Sequence, residues 1–179
     1  MLSRRYFLAF CLAWLPRLAQ AISADDVEVD YRDGVYLGRL SLTIAAAPAA
    51  ALAVLTDFDH MAAFMPGLAA SRIVARQGQV YQVMQQGKMS FGPFALPYES
   101  LRRIEVIDGQ RILSRGLSGS ARHMQSEMRL QASGSGTRLD YRIELQPGQW
   151  LPSTLGSNFL QHELAEQFTA LEQEILRRR

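Results

Sequence analysis

Alternation of apolar and polar side chains is the sequence feature that most constrains how this chain can fold. It is clearest over residues 137–146, where every second side chain is apolar and charged residues stand between them. The apolar members are Leu139, Tyr141, Ile143 and Leu145. A period of two places alternate side chains on opposite faces of a strand. Strands of this kind, joined by hairpin turns, predict an antiparallel sheet with one face in water.

Turn residues divide much of the chain into further strands. Asp-Gly dipeptides at 33–34 and 108–109 predict hairpin turns. The Ser-Gly-Ser-Gly run at 133–136 predicts another turn rather than a phosphate-binding loop, because no helix follows it. We predict strands over residues 27–32, 35–44, 71–76, 80–91, 97–107, 112–117, 122–131 and 137–146.

Three further segments predict helices. Pro48 opens an alanine-rich helix, and Asp57 is placed to cap a second short helix over residues 58–65. A long helix ends the chain and begins at either Ser153 or Asn158. Its apolar stripe consists of Leu160, Leu164, Phe168, Leu171 and Ile175.

The order of these elements predicts the architecture. Strands, two short helices, a run of antiparallel strands and one long helix together make an α+β fold of two layers. We expect a curved antiparallel sheet wrapped around the C-terminal helix, with the two short helices following the first strands. A strongly curved sheet around a single helix leaves a hollow between them.

The first 21 residues have the features of an export signal. Arg4 and Arg5 precede a short apolar run, and Ala19-Gln20-Ala21 is an A-x-A cleavage site. The apolar run is half the roughly 20 residues that a membrane-spanning helix needs. Residues 3–8 resemble a twin-arginine export signal, with a general secretory leader as the alternative. We expect residues 1–21 to be cleaved and residues 22–179 to form one periplasmic domain.

Cleavage would change the charge and remove the cysteine. The full chain has a formal charge of +2 and one cysteine, Cys11. Without Arg4, Arg5 and Arg17, 16 basic residues remain against 17 acidic ones, and the charge becomes −1. A domain without a thiol suits an oxidising compartment and excludes cysteine catalysis. A nearly neutral domain lacks the electrostatic footprint of a nucleic-acid-binding protein, so we expect no nucleic-acid partner.

Four short motifs resemble those of a known superfamily. They are Ala47-Pro48, residues 54–60 (Val-Leu-Thr-Asp-Phe-Asp-His), Phe64-Met65-Pro66-Gly67 and Trp150-Leu151-Pro152. The chain resembles the START-like polyketide cyclase/dehydrase superfamily, whose fold is called the helix-grip, and is most similar to its coenzyme-Q-binding branch. The resemblance implies binding or transport of a hydrophobic small molecule, such as a lipid, quinone or polyketide, between sheet and helix. A minority of the superfamily catalyses cyclisation or dehydration.

Candidate ligand contacts are the residues expected to line the hollow. They are Tyr98, Arg102, Met124, Ser126, Met128, Tyr141, Leu164 and Phe168. Unbranched methionines can line an adaptable apolar pocket, and ordinary core packing is the alternative for each of them. Arg102 would be an inner cation that holds a headgroup or a quinone oxygen if its face of the strand is the inner one. The alternative is that Arg102 and Arg103 both lie at the rim or the surface.

No convergent set of catalytic residues emerges from the sequence. The His-Glu-Leu-Ala-Glu run at 162–166 has a glutamate where the zinc-protease motif needs its second histidine, so we expect an exposed helix face there. Asp57, Asp59 and His60 are expected to be capping and solvated residues rather than metal ligands. We therefore expect no metal, no cofactor and no catalytic residue. A cyclase or dehydratase is the alternative, with Tyr98, Arg102 and Tyr141 as acid–base candidates.

One apolar hairpin tip, from Phe91 to Leu96, has no assigned role in the core. Such a tip can gate a hollow, touch a membrane surface transiently, pack over the long helix or present itself to a partner protein. The sequence leaves these alternatives open, and it leaves the oligomeric state undetermined.

Overall fold

One antiparallel sheet of eight strands dominates the computed structural model, which describes residues 21–91, 94–148 and 153–179. The strands are β1 (Glu28–Arg32), β2 (Val35–Ile44), β3 (Leu68–Gln77), β4 (Val80–Phe91), β5 (Phe94–Ile107), β6 (Arg111–Gly119), β7 (Ala121–Ser133) and β8 (Gly136–Pro147). The helices are α1 (Pro48–Leu55), α2 (Ser153–Arg178) and two 3-10 helices, Ala24–Asp26 and Phe58–Ala63. The predicted α+β class, with a curved sheet and a long C-terminal helix, is confirmed.

The strand order is β1-β2-β8-β7-β6-β5-β4-β3. Strands β3 to β8 pair as consecutive hairpins, and β2 pairs with β8, so α1 and the second 3-10 helix carry the chain from one side of the sheet to its far edge. Both predicted Asp-Gly turns are confirmed: Asp33 and Gly34 have φ of 50° and 85°, and Asp108 and Gly109 have 51° and 65°. Positive φ at both central residues matches the right-handed twist of the flanking strands.

Helix α2 packs its apolar stripe on the inner face of the sheet, the face that we define as the one turned towards this helix. All five stripe residues are buried, as the periodicity predicted. Gly38 in β2 permits the close approach, because a Cβ there would lie 2.8 Å from Ile143 and 3.0 Å from Leu164. Burying an apolar side chain of this size contributes about 1.5–3 kcal/mol, so the stripe is the main attachment of the helix.

Asp57 does not cap the second short helix, and that prediction is wrong. Its carboxylate makes no capping hydrogen bond but lies 2.6 Å from His60 Nδ1 and 2.6 Å from Arg178 Nη1. The hydrogen bond from Arg178, followed by that from His60, holds the pKa of Asp57 below its ordinary value. Asp57 therefore ties the end of α2 to the segment that follows α1. Neighbouring Asp59 accepts the backbone N–H of Ile73 at 2.7 Å.

None of the helices in the described ranges is both long and apolar enough to cross a membrane.

A matched pair of leucine truncations tests where the core lies. Leu139 is fully buried, whereas Leu117 is 47% exposed. We expect Leu139→Ala to lower the free energy of unfolding by about 2–5 kcal/mol, because it leaves a cavity in the core. Leu117→Ala should change that free energy by less than about 0.5 kcal/mol. Urea denaturation measures both values, and equal losses would contradict this placement of the core.

Candidate functional site

The inner face of the sheet is closed at one end and less filled at the other. At the closed end Ile104, Leu130 and Leu139 are at most 2% exposed. Along the same strands, towards the other end, the inner-face residues are only half-buried. They are Tyr98, Ser100, Arg102, Met124, Ser126, Met128, Tyr141, Ile143 and Leu145. Side chains of the described residues therefore fill one end of the space under α2 more completely than the other.

Arg102 lies at the less filled end and faces inwards, so the rim alternative is wrong for this residue. It alternates with inward-facing Ile104 on β5, and its cross-strand neighbour on β6 is Gly116. The adjacent Arg103 is exposed and pairs with Glu105 at 2.8 Å. Arg102 keeps some accessible surface, yet burial lowers the pKa of its guanidinium. Arg102 is therefore held on the inner face with its guanidinium largely removed from water.

The guanidinium of Arg102 has one polar partner and no acidic one among the described residues. Its Nη2 donates a hydrogen bond to the side-chain oxygen of Gln85, and its Nε is buried without a partner. None of the ion pairs formed by the described residues involves Arg102. A buried cation in this state is energetically unfavourable unless something compensates it.

Gln85 holds Arg102 in place through a short chain of hydrogen bonds, which the sequence analysis did not predict. Gln85 is buried; its Nε2 donates to Ser71 Oγ at 3.1 Å and lies 3.6 Å from the sulfur of Met61. These contacts orient the amide oxygen towards Arg102. The available signal was the alternation on β4, where Tyr81, Val83 and Gln85 share one face and the first two are apolar.

Two tyrosines border Arg102. The ring of Tyr141 lies 4.8 Å from that of Phe168 between centroids, and its hydroxyl is hydrogen-bonded to Ser126. Burial raises the pKa of Tyr141 and of Tyr98, and the nearby charge of Arg102 only partly opposes this. Both phenols are therefore neutral at pH 7 and offer an O–H group rather than a negative charge.

Ser114 adds a second unsatisfied polar atom to the inner face. Its hydroxyl oxygen is buried and has no hydrogen-bond partner. Its cross-strand neighbours are Ile104 of β5 and Ser126 of β7, so it lies one inner-face position along from Arg102. Buried polar groups are normally hydrogen-bonded, and those that are not need a cause such as an absent ligand or water.

The other predicted contacts occupy the walls of this space. Met124 and Met128 lie on the inner face of β7, on either side of Ser126. Leu164 and Phe168 are buried on α2, where Phe168 meets Tyr141 and Leu164 packs over Gly38. The structure thus brings Tyr98, Arg102, Ser126, Tyr141 and Phe168 together at one end of the inner face. We call Tyr98, Arg102, Ser114, Ser126 and Tyr141 the polar group. Leu164 does not border it but packs with the apolar stripe of α2 against the sheet.

The burial of Glu163 contradicts the expectation that residues 162–166 form an exposed helix face. It is 7% exposed and accepts the backbone N–H of Ser90 at 3.2 Å, which joins α2 to the end of β4. Burial, with a smaller contribution from the charge of Glu166, raises the pKa of Glu163. The described residues include no group of three or more His, Cys, Asp or Glu side chains arranged to hold a metal ion.

Some sequence predictions fall outside the described residues. They concern most of the leader (residues 1–20), the centre of the apolar tip (Gly92-Pro93, with the side chains of Phe91 and Phe94) and the Trp150-Leu151-Pro152 motif. The leader, the role of the tip and the motif stay predictions.

Two grooves open on other parts of the surface, although Tyr141 also borders the first of them. One, of about 450 Å³, is bordered mainly by charged outer-face residues such as Arg39, Glu127 and Arg142. Several of these charges already pair with each other, for example Arg39 with Asp30 at 2.6 Å. The second, of about 520 Å³, lies between residues 63–66, at the end of the second 3-10 helix, and one side of α2. Neither groove contains a desolvated group without a partner, so we place the functional site on the inner face.

Comparison with known proteins identifies the fold and the family. Residues 39–175 match the sequence profile of the family described as polyketide cyclase/dehydrase and lipid transport. No curated protein matches the chain in sequence.

Three of the similar solved structures illustrate the match. A START superfamily protein from Mycobacterium smegmatis has a TM-score of 0.69 at 12% identity, over 79% of this chain and 97% of that one. A STAR-related lipid transfer protein from Xanthomonas axonopodis has 0.67 at 14%, over 85% and 99%. The Zhui aromatase/cyclase from Streptomyces sp. R1128 has 0.65 at 16%, over 81% and 96%. At these identities the similarity concerns the fold.

The buried carboxyl of Glu163 predicts a specific pH dependence. Its raised pKa means that the folded protein retains a proton that the unfolded chain loses near pH 4.5, so this group lowers stability as the pH rises above that value. We expect Glu163→Gln to gain stability relative to the wild type between pH 4 and pH 8. Urea denaturation across this range measures the difference. The exposed Glu99→Gln is the control, and a Glu163→Gln difference that does not vary with pH would contradict the prediction.

Proposed function

Because the chain belongs to the polyketide cyclase/dehydrase and lipid transport family, we propose that it binds and carries a hydrophobic small molecule between the inner face of the sheet and α2. The observation that supports this most strongly is the polar group around Arg102 in an otherwise apolar interior. Two of its buried atoms, Arg102 Nε and Ser114 Oγ, lack partners within the described residues. A ligand that is mostly apolar, with one polar end, complements such a lining.

The lining suggests how the ligand is held. Its apolar body would lie against Met124, Met128 and the ring of Phe168, where methionine side chains adapt to irregular shapes. Its polar end would meet Arg102 and the hydroxyl groups of Ser126 and Tyr141. The enclosed position removes apolar ligand surface from water at about 25 cal/mol per Å², which supplies affinity, while the polar group sets orientation.

The compartment forms part of the proposal. The A-x-A site ending at Ala21 and the loss of Cys11 with the leader support export to the periplasm, by the twin-arginine or the general secretory route. A carrier of a water-insoluble molecule is useful in an aqueous compartment between two membranes. The coenzyme-Q-binding branch remains our prediction for the closest relatives, since a quinone has an apolar body and carbonyl acceptors.

A matched pair of substitutions to phenylalanine tests the binding site. Ser126 faces inwards, and Gln125 beside it is exposed on the outer face. We expect organic extraction of the purified protein, followed by mass spectrometry, to release a hydrophobic molecule. Ser126→Phe should retain less than about a tenth of it, because the added ring occupies the site, while Gln125→Phe should retain all of it. A wild-type protein that releases no molecule and takes up no fluorescent lipid would refute the proposal.

An enzyme of the cyclase or dehydratase type is the second candidate. Two neutral phenols, Tyr98 and Tyr141, border a buried guanidinium, and such a set could polarise and protonate a carbonyl or hydroxyl oxygen. A general acid contributes about 10²–10⁴-fold to a rate.

Tyr141→Phe separates this candidate from a carrier. If the protein is an enzyme, the variant should bind a polyketide-like substrate normally and turn it over at least a hundredfold more slowly. If the protein is a carrier, the variant should bind its ligand somewhat more weakly, because it lacks the hydroxyl that meets the polar end, and neither form should convert the ligand. Binding titration and product analysis on both proteins make the comparison.

A further inference from the structure

We infer that the ligand is an acid, an apolar molecule with one carboxylate that pairs with Arg102. This inference rests on the proposed binding function and deepens it, since it selects acids among hydrophobic molecules. It is based on the charges of the inner-face residues, because neither the family nor the fold specifies the charge of the ligand.

The first step is that no carboxylate of the described residues pairs with Arg102. Its one polar contact within the described residues is the uncharged amide of Gln85. The phenols of Tyr98 and Tyr141 beside it are neutral at pH 7. Glu163, the buried acid of the facing helix, binds the N–H of Ser90 and contacts Gln167 at 3.5 Å, and it forms no ion pair with Arg102.

The second step is that the remaining acids nearby are on the wrong side of the sheet. Glu105 follows Arg102 by three positions, and a separation of three reverses the face, so its carboxylate pairs with outer Arg103. The carboxylates of Glu127 and Asp140 similarly pair with the outer arginines 129 and 138, at 2.8 and 2.9 Å. Each of these three outer acids is thus already in a surface ion pair, and Glu99 of β5 is also exposed on the outer face.

The third step distinguishes an anion from a neutral acceptor. A ketone, ester or alcohol oxygen could accept the free Nε–H of Arg102, but it would leave the buried positive charge uncompensated. A carboxylate supplies the acceptor and the charge together, and charge-assisted hydrogen bonds are about twice as strong as neutral ones. Its second oxygen could accept the unpartnered hydroxyl of Ser114. The hydrogen bonds from Gln85 to Ser71 and from Arg102 to Gln85 orient the guanidinium for this contact.

Paired probes test this charge selectivity. The fluorescent fatty acid cis-parinaric acid and its methyl ester share one apolar body and differ in the charge of the headgroup. Titrated into the delipidated wild-type protein at pH 7.5, the acid should bind at least tenfold more tightly than the ester. Arg102→Met should weaken binding of the acid at least tenfold and leave binding of the ester unchanged, so that the preference disappears. Arg103→Met, which alters the adjacent outer arginine, should retain the wild-type preference.

The outcomes separate this inference from the proposed function. A wild-type protein that binds the ester as tightly as the acid overturns the acid selectivity but supports hydrophobic binding. Binding of neither probe counts against the proposed function itself. A preference that survives in folded Arg102→Met, as judged by its urea unfolding transition, assigns the headgroup to another residue and overturns the inference. If Arg102→Met does not fold, the wild-type comparison still decides the selectivity, and Arg102→Lys should retain a preference for the acid.

Discussion

The packing of α2 across the inner face of the sheet is the contact on which the rest of this structure depends. The five-residue stripe of the helix is buried against the sheet, and Gly38 leaves room for the side chain of Leu164. The far end of the helix is anchored by Arg178, which pairs with Asp57 across 121 residues of sequence. One helix cannot cover the whole concave side of an eight-stranded sheet, so the inner face has a closed apolar end and a less filled polar end.

The sheet also separates charges by face. On the outer face, arginines and acids of the same strand or of neighbouring strands form ion pairs in contact with water, where each pair contributes little to stability. On the inner face, Arg102 has only amide and hydroxyl neighbours among the described residues. An unpaired buried cation lowers the stability of a protein without ligand, and sites that sacrifice stability in this way are commonly functional ones.

Much of the fold was predictable because its determinants are local. The bounds of β2 and β4 agree with the predicted 35–44 and 80–91, since apolar alternation and turn residues act within a few positions. The failures have non-local causes. Asp57 is a good capping residue in isolation, but Arg178 competes for its carboxylate. Glu163 lies beside the apolar stripe, and its burial depends on where the end of β4 meets the helix.

The sequence by itself determined the elements, which residues of a strand share a face, and the composition of the candidate lining. The reason is that a period of two or of 3.6 follows from backbone geometry. Only the tertiary structure decided that the face carrying Arg102 is the inner one and that Gln85 and Ser71 stand behind it. The reason is strand register, which places Ser71 of β3 opposite Gln85 of the adjacent strand β4. It also decided that no described carboxylate reaches Arg102, because charge compensation depends on distances between residues far apart in the chain.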